Sequence, residues 1–261
     1  MSEPDPHLVE LLRGAGDILI FTGAGISTGS GIPDFRGPQG IWKTRQPVYC
    51  QDFMTSHEAR VEAWDFKLES WESFRDAQPT PTHEAIVEIE GSGKLLMVVT
   101  QNIDGLHQKA GTSRQKLIEI HGTNSEIECQ SCRQRSDPQE HFQRFAATRE
   151  PPLCHCGGYL KSATISFGQN LVEADLEAAS AAADRADLVV ALGSTLGVYP
   201  AASLPLMAAG RGVPYVIVNR GETEHDGRSE VTLRLEGDVD ELFAAACFDL
   251  EPQQLPPLSG Q

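Results

Sequence analysis

Residues 17–42 read DILIFTGAGISTGSGIPDFRGPQGIW, and the way this stretch divides sets the fold class. Residues 18–21 are a short apolar run, the pattern of a parallel strand buried on both faces. Gly23, Ala24 and Gly25 follow, residues too small to obstruct a close ligand. Backbone N–H groups there could approach phosphate oxygens, and a helix beginning near Ile26 would add the positive end of its dipole. An ordinary strand–turn–helix corner fits the same glycines. Thr28 stands where the dinucleotide fingerprint wants a third glycine, and no clear ribose-binding acid follows about 20 residues on. Residues 30–37 are instead a turn-rich run that carries Asp34, Phe35 and Arg36, suited to a loop folding over a bound ligand.

Outward from that corner, apolar runs at 95–100, 117–120, 187–192, 214–218 and 231–235 read as further buried strands. Helical patterns alternate with them at 8–12, 83–90, 171–186, 200–212 and up to Cys247. This alternation predicts right-handed βαβ units and a doubly wound parallel α/β sheet. Residues 58–74 break the pattern as a helix with apolar side chains around much of its circumference, which needs cover on more than one side. Polar residues cluster just after the strands: Gln101, Asn102, Ile103 and Asp104, then His121, then Gly193, Ser194 and Thr195, then Asn219. Ligands gather at those carboxyl ends in open α/β sheets, although turns also use Asn and Asp, and a lone His is commonly structural.

The formal charge of −16 over 261 residues repels polyanions, so a nucleic-acid partner is not expected and Lys-rich partners fit better. No run approaches the ~18 apolar residues of a membrane span, and the first residues lack the basic start of a secretory leader, so the chain is read as cytoplasmic and not membrane-bound. Six cysteines occur, and Cys129, Cys132, Cys154 and Cys156 crowd into two tight pairs with 21 residues between them. Four thiolates so spaced suit one structural zinc ion, with a disulfide, free thiols or His155 replacing one sulfur as the alternatives. Cys50 and Cys247 are read as incidental thiols.

In order, GAGIS and GSGIPDFRG, TQNIDGLH, His121-Gly122, the two cysteine pairs, SFG, GSTLGVYPA and a strand ending in Asn219 resemble the sirtuin family of NAD-dependent protein lysine deacylases, over about residues 8–248. The resemblance implies a Rossmann-like domain with a smaller zinc-binding module and a helical insertion, and NAD as a consumed co-substrate. It implies that Gly23, Ala24 and Gly25 line the pyrophosphate, with Ile26 and Ser27 beside them. Asp34, Phe35, Arg36 and Trp42 would cover the cofactor, and Gln101, Asn102, Ile103 and Asp104 would face the nicotinamide and its ribose. Gly193, Ser194 and Thr195 would hold phosphate or ribose oxygens, Asn219 with Arg220 and Gly221 the adenosine ribose, and Val239 the adenine. Catalysis would rest on His121 as the base, with Asn102 and Asp104. An acyl-lysine peptide would lie as a strand between Ser166, Phe167 and Gly168 on one side and Gly197, Val198 and Tyr199 on the other. The acyl group would end on ADP-ribose, as O-acyl-ADP-ribose, with mono-ADP-ribosyl transfer to protein as the alternative.

Two departures bear on specificity. Where relatives that prefer succinyl groups carry a Tyr-x-x-Arg pair, this chain has Lys67 and Ser70, so acetyl or neutral longer acyl groups are expected, with Lys67 retaining one positive charge. Gly168-Gln169-Asn170 stands where many relatives have Gly-Glu. The expected division is 1–43, 83–122 and 161–248 for the NAD-binding domain, 44–82 for the helical insertion, 123–160 for the zinc module and 249–261 for a disordered tail. A monomer is expected, although nothing in the residues fixes the oligomeric state.

Overall fold

The computed structural model describes residues 3–36 and 40–248. The expected tail at 249–261 lies outside them. The chain opens with α1 (Pro6–Gly14), whose first turn is capped by Asp5 accepting from the backbone N–H of His7 and Leu8. Then comes β1 (Ile18–Thr22), all five residues buried. A 3-10 helix, Ala24–Ser30, follows where the sequence suggested an α-helix near Ile26. Two glycines in that run and the αL residue Gly31 at its end explain the tighter, shorter turn.

Helices α2 (Cys50–Thr55), α3 (His57–Asp76) and α4 (Pro81–Gly91) lead to β2 (Leu95–Thr100). Next are α5 (Leu106–Ala110), β3 (Leu117–Glu119), β4 (Gly122–Cys129), β5 (Arg135–Ser136), α6 (Pro138–Thr148) and β6 (Leu160–Thr164). The chain then runs α7 (Glu173–Arg185), β7 (Leu188–Leu192), α8 (Ser203–Ala209), β8 (Tyr215–Asn219), β9 (Leu233–Glu236), a π-helical turn Asp240–Ala244 and α9 (Ala245–Phe248).

Six strands form one parallel sheet in the order β3-β2-β1-β7-β8-β9. Successive residues of a strand point to opposite faces, so β1 serves two cores at once. Ile18 and Ile20 pack with α1, α4 and the C-terminal helical residues, while Leu19 and Phe21 pack with α7 and α8. This is the doubly wound sheet the sequence predicts.

The antiparallel sheet β5-β4-β6 has no counterpart in that expectation. Residues 161–168 are extended only to Thr164, and their ladder bonds go to β4. Helix α3 finds the cover its composition demanded. Trp64 donates from Nε1 to Leu160 O and packs on Phe142 and Phe145, and Trp71 stacks on Phe142. Phe74 joins a separate cluster with Ile32, Ala77 and Leu106.

The β1–β7 pair is pinned at both ends. Asp187 accepts from Gly16 N and Asp17 N where the strands begin. Where they end, Gly193 has φ +60°, and a Cβ there would lie 2.5 Å from Ile26 N. Gly193→Ala is therefore expected to cost about 1–3 kcal/mol through overpacking, read as a lowered midpoint in thermal or urea unfolding. An unchanged midpoint would contradict the tight loop packing.

Candidate active site and metal centre

Sheet order reverses direction between β1 and β7, so the loops leaving them diverge and open a crevice at their carboxyl ends. The glycines after those strands face each other. A Cβ on Gly23 would sit 2.7 Å from Gly193 O, and one on Gly25 would sit 2.7 Å from Gly193 Cα. Gly25 N donates to Gly193 O at 2.8 Å. These glycines are required by loop-on-loop packing as well as by any ligand. Beside them lies a cavity of about 1130 Å³, large enough for an extended dinucleotide together with part of a second substrate.

Most of the expected cofactor residues line it: Gly23, Ala24 and Gly25; Asp34, Phe35 and Arg36; Gln101, Asn102 and Ile103; Gly193, Ser194 and Thr195; and Asn219, Arg220 and Val239. Ile26, Ser27, Asp104 and Gly221 lie behind or beside this lining, and the side chain of Trp42 falls outside the described part of the structure. Ser166, Phe167, Gly168, Val198 and Tyr199 line the same cavity, whereas Gly197 packs against the Glu224 side chain. The carbonyls of Ser166 and Phe167 already accept from Gln169 N and Cys50 N.

Asn102 is buried, and its Nδ2 donates to Gly23 O at 3.1 Å and to Ser27 Oγ at 3.2 Å. That uses both amide hydrogens, so Oδ1, an acceptor, is the atom left to the cavity. Ser27 Oγ in turn donates to Asp104 at 2.8 Å, and Asp104 also accepts from Leu106 N. Burial raises the Asp104 carboxyl above its ordinary range, against these two bonds.

His121 stands between β3 and β4, with Nδ1 at 3.2 Å from Gln101 O. A carbonyl only accepts, so Nδ1 carries the proton and Nε2 is the bare, basic nitrogen. Burial lowers the His121 pKa, and the Arg36 cation adds to this against the Gln101 carbonyl. The ring is neutral at pH 7 and able to take a proton.

Two buried amines are less visible in the sequence. Lys67 lines the cavity and donates to Asn124 Oδ1 at 2.8 Å, and Lys161 lines it from β6. Burial lowers Lys67 to about 7, with Lys161 repelling it, and burial lowers Lys161 to about 8. The fixed charge expected of Lys67 is thus corrected to a partial one at neutral pH. Lys161 could have been noticed as a cation inside a run of small and apolar residues; Asn124 carries no such mark.

The four cysteine sulfurs lie within 4.8 Å of one another. Cys129 and Cys156 approach to 3.5 Å and Cys132 and Cys154 to 3.7 Å, too long for disulfides. A tetrahedron with Zn–S bonds of about 2.3 Å has S···S edges of about 3.8 Å, so the thiols fit one zinc ion. Backbone N–H groups of Cys132 and Ser131 aim at Cys129 Sγ and hold its thiol below the usual value, as a ligand thiolate needs. Among the described residues His155 is exposed and outside this cluster, which closes the alternative that it replaces a sulfur.

Comparison with known proteins agrees with this geometry. The sequence model described as the Sir2 family matches residues 23–200. NAD-dependent protein deacetylase 1 of Bradyrhizobium diazoefficiens is 40% identical over 228 residues, 87% of this chain and 90% of that protein. A Sir2 structure with a deacetylated p53 peptide and 3'-O-acetyl ADP-ribose superposes with a TM-score of 0.85 at 38% identity, covering 93% of this chain and 96% of the other. A Sir2–p53 peptide–NAD+ complex gives 0.83 at 35% identity, covering 95% and 98%.

Removing the metal should act on the small sheet first, because β4 supplies Cys129 and carries both antiparallel partners. Chelation is expected to lower the unfolding temperature and release one zinc per chain, and His155→Ala should leave that stoichiometry unchanged. Loss of the metal on replacing His155 would contradict the four-sulfur site.

Proposed function

The chain belongs to the Sir2 family, and from that premise we infer that it is an NAD-dependent protein-lysine deacetylase, which removes the acyl group of a modified lysine and releases nicotinamide. NAD, when bound, supplies the acyl acceptor and a leaving group, so it is consumed. The observation that carries the reading is His121, a neutral imidazole with its Nδ1 proton fixed on Gln101 O and Nε2 left basic at the cavity.

In this reading His121 Nε2 takes the proton of a ribose hydroxyl, and the Gln101 carbonyl steadies the imidazolium that results. Asn102 Oδ1 offers lone pairs where positive charge develops as nicotinamide leaves, and Asp104 holds that arrangement through Ser27. The loops carrying Gly23, Gly25 and Gly193 bring backbone close to a pyrophosphate, with Arg36 as a nearby cation. Arg220 is paired with Asp238 at 2.6 Å, so at the adenosine end it braces the wall on which Val239 sits. An acyl-lysine peptide enters between residues 166–168 and 197–199 as an added strand.

The same reading takes the parallel sheet as the NAD-binding domain. The segments 44–82 and 123–164 then form the smaller domain; the boundary expected at 160 moves to 164, because Leu160–Thr164 pairs with β4 and closes the smaller sheet. A cytoplasmic location belongs to it as well: cysteines arranged for a metal suit a reducing compartment, and no described helix is long and apolar enough to cross a membrane.

His121→Ala should lower deacetylation by a factor of about 10² or more while NAD still binds. In the unaltered protein, activity falls as His121 gains a proton. Its lowered pKa places the acid limb of kcat/KM below the ~6.5 of a free imidazole. Near-normal turnover by the variant, or a protein adduct heavier by one ADP-ribose in place of free O-acyl-ADP-ribose on mass analysis, would overturn the mechanism.

Specificity follows from charge. Ser70 Oγ bonds back to Phe66 O and Lys67 O of its own helix, Arg45 is held by Glu69, and Lys67 is only partly charged. The two amines that line the cavity, Lys67 lowered to about 7 and Lys161 to about 8, are at most half charged at pH 8, so an acyl carboxylate meets no full fixed cation from them there. Acetyl-lysine peptide should show a higher kcat/KM than its succinyl counterpart at pH 8, and the reverse order would refute this.

A further inference from the structure

The motif TQNIDGLH ends in His107, which has no role in the reaction described above. It is buried at 2% exposure and its ring lies 4.8 Å from that of His83, which is fully buried on α4. We propose that His83 and His107 form a proton-ordered relay that fixes the position of Asn102 and of the 23–28 loop, and so act as positioning residues for nicotinamide release. This rests on the role given to Asn102.

The relay can be followed atom by atom. Asn102 N donates to Thr100 Oγ1 at 3.0 Å, and Thr22 Oγ1 donates to the same oxygen at 2.8 Å. In the relay Thr22 Oγ1, with its proton on Thr100, accepts from His107 Nε2, 3.0 Å away. That sets the tautomer: Nε2 carries hydrogen and Nδ1 is a bare acceptor. On the other side, Thr80 N donates to His83 Nδ1 at 3.2 Å, which leaves the His83 hydrogen on Nε2, and Thr80 Oγ1, 3.0 Å from the same Nδ1, shares its proton between that nitrogen and Ile26 O. Thr80 Oγ1 donates to Ile26 O at 3.0 Å.

Two atoms are left over, His83 Nε2 and His107 Nδ1, each buried with no partner among the described residues. One is a donor and the other an acceptor, on adjacent rings. The rings lie 4.8 Å apart, centre to centre, and pairing of these two atoms, which the relay requires, would relieve two orphans that each cost about 1–3 kcal/mol. The completed chain runs from Ile26 O through Thr80, His83, His107, Thr22 and Thr100 to Asn102 N. It would tie the 23–28 loop and Asn102, both on the β1–β2 side of the crevice, to one interior line of hydrogen bonds. Each link needs a neutral ring, because a second proton on His83 Nδ1 would face the Thr80 N–H. Burial keeps both rings uncharged, against the weak pull of Asp240 on His83.

The role separates from mere packing by rescue. His107→Gln keeps an N–H donor near the Nε2 position, and His107→Leu fills the volume without one. Both would be assayed for kcat and KM of nicotinamide release with NAD and acetyl-lysine peptide, beside Leu12→Ala as a remote core variant and with unfolding midpoints recorded. His107→Leu is expected to lose about tenfold in kcat with the peptide KM within about twofold, His107→Gln to recover to within about threefold of the parent, and Leu12→Ala to keep kcat within about twofold at 25 °C. Should His107→Leu fail to fold, Thr22→Val, which removes the middle hydroxyl, is read with the same thresholds. The relay is overturned if the leucine variant, or the valine one in its place, turns over within about twofold of the parent, if glutamine fails to rescue, or if Leu12→Ala loses as much. Asn102→Ala separates the two readings: normal nicotinamide release by that variant removes the role of Asn102 itself, whereas its inactivity beside an active leucine variant removes the relay alone.

Discussion

Two neighbouring strands of the parallel sheet end in loops that touch backbone to backbone, and the rest of the molecule is arranged around that contact. Gly23 and Gly25 meet Gly193 at distances no Cβ would tolerate, while Asp187 clamps the opposite ends of the same two strands. The contact forces the loops to part immediately afterward, one toward β2 and the other toward β8. The crevice is thus a result of connectivity and sterics, present before any ligand binds. Side chains from the next strands, Asn102 and Asn219, then arrive at its sides with their amides already held by backbone carbonyls.

Preorganisation of this kind places neutral groups where charge will develop. The His121 ring, the amides of Gln101 and Asn102, and the threonines behind them are uncharged and mutually bonded. Fixed dipoles need no reorientation when a bond breaks, whereas water would. Paired charges sit at the far side of the wall, where Arg220 meets Asp238 and Arg234 meets Glu236.

Much of this was legible in the residues because the signals were local. A buried strand followed by glycines, polar residues after each apolar run, and two cysteine pairs all occupy a few consecutive positions. What escaped depended on distant partners. The antiparallel sheet escaped because β4 alternates irregularly and β5 is two residues long, so neither carries a strand pattern of its own. The 3-10 turn after Gly23 escaped because its glycines allow either turn, and the bond from Gly25 N to Gly193 O comes from a loop far away in sequence. The burial of Lys67 and Lys161 escaped because long side chains usually reach water, and only the packing of α3 over β6 denies it to them. His107 was visible as a letter in a motif, but its hydroxyl partner, Thr22, lies on a strand 85 residues away.

His121 lies in the two-residue link by which the chain enters the smaller sheet: β3 ends at Glu119, β4 begins at Gly122, and the His121 carbonyl accepts from Ile165 N, on the way out of that sheet, one residue before Ser166. In the proposed mechanism, base and groove edge are therefore fastened to the same hinge pin. If the smaller sheet swings against the larger, imidazole and substrate strand travel as one body, and the gap that has to be tuned by closure is the one between that body and the sugar.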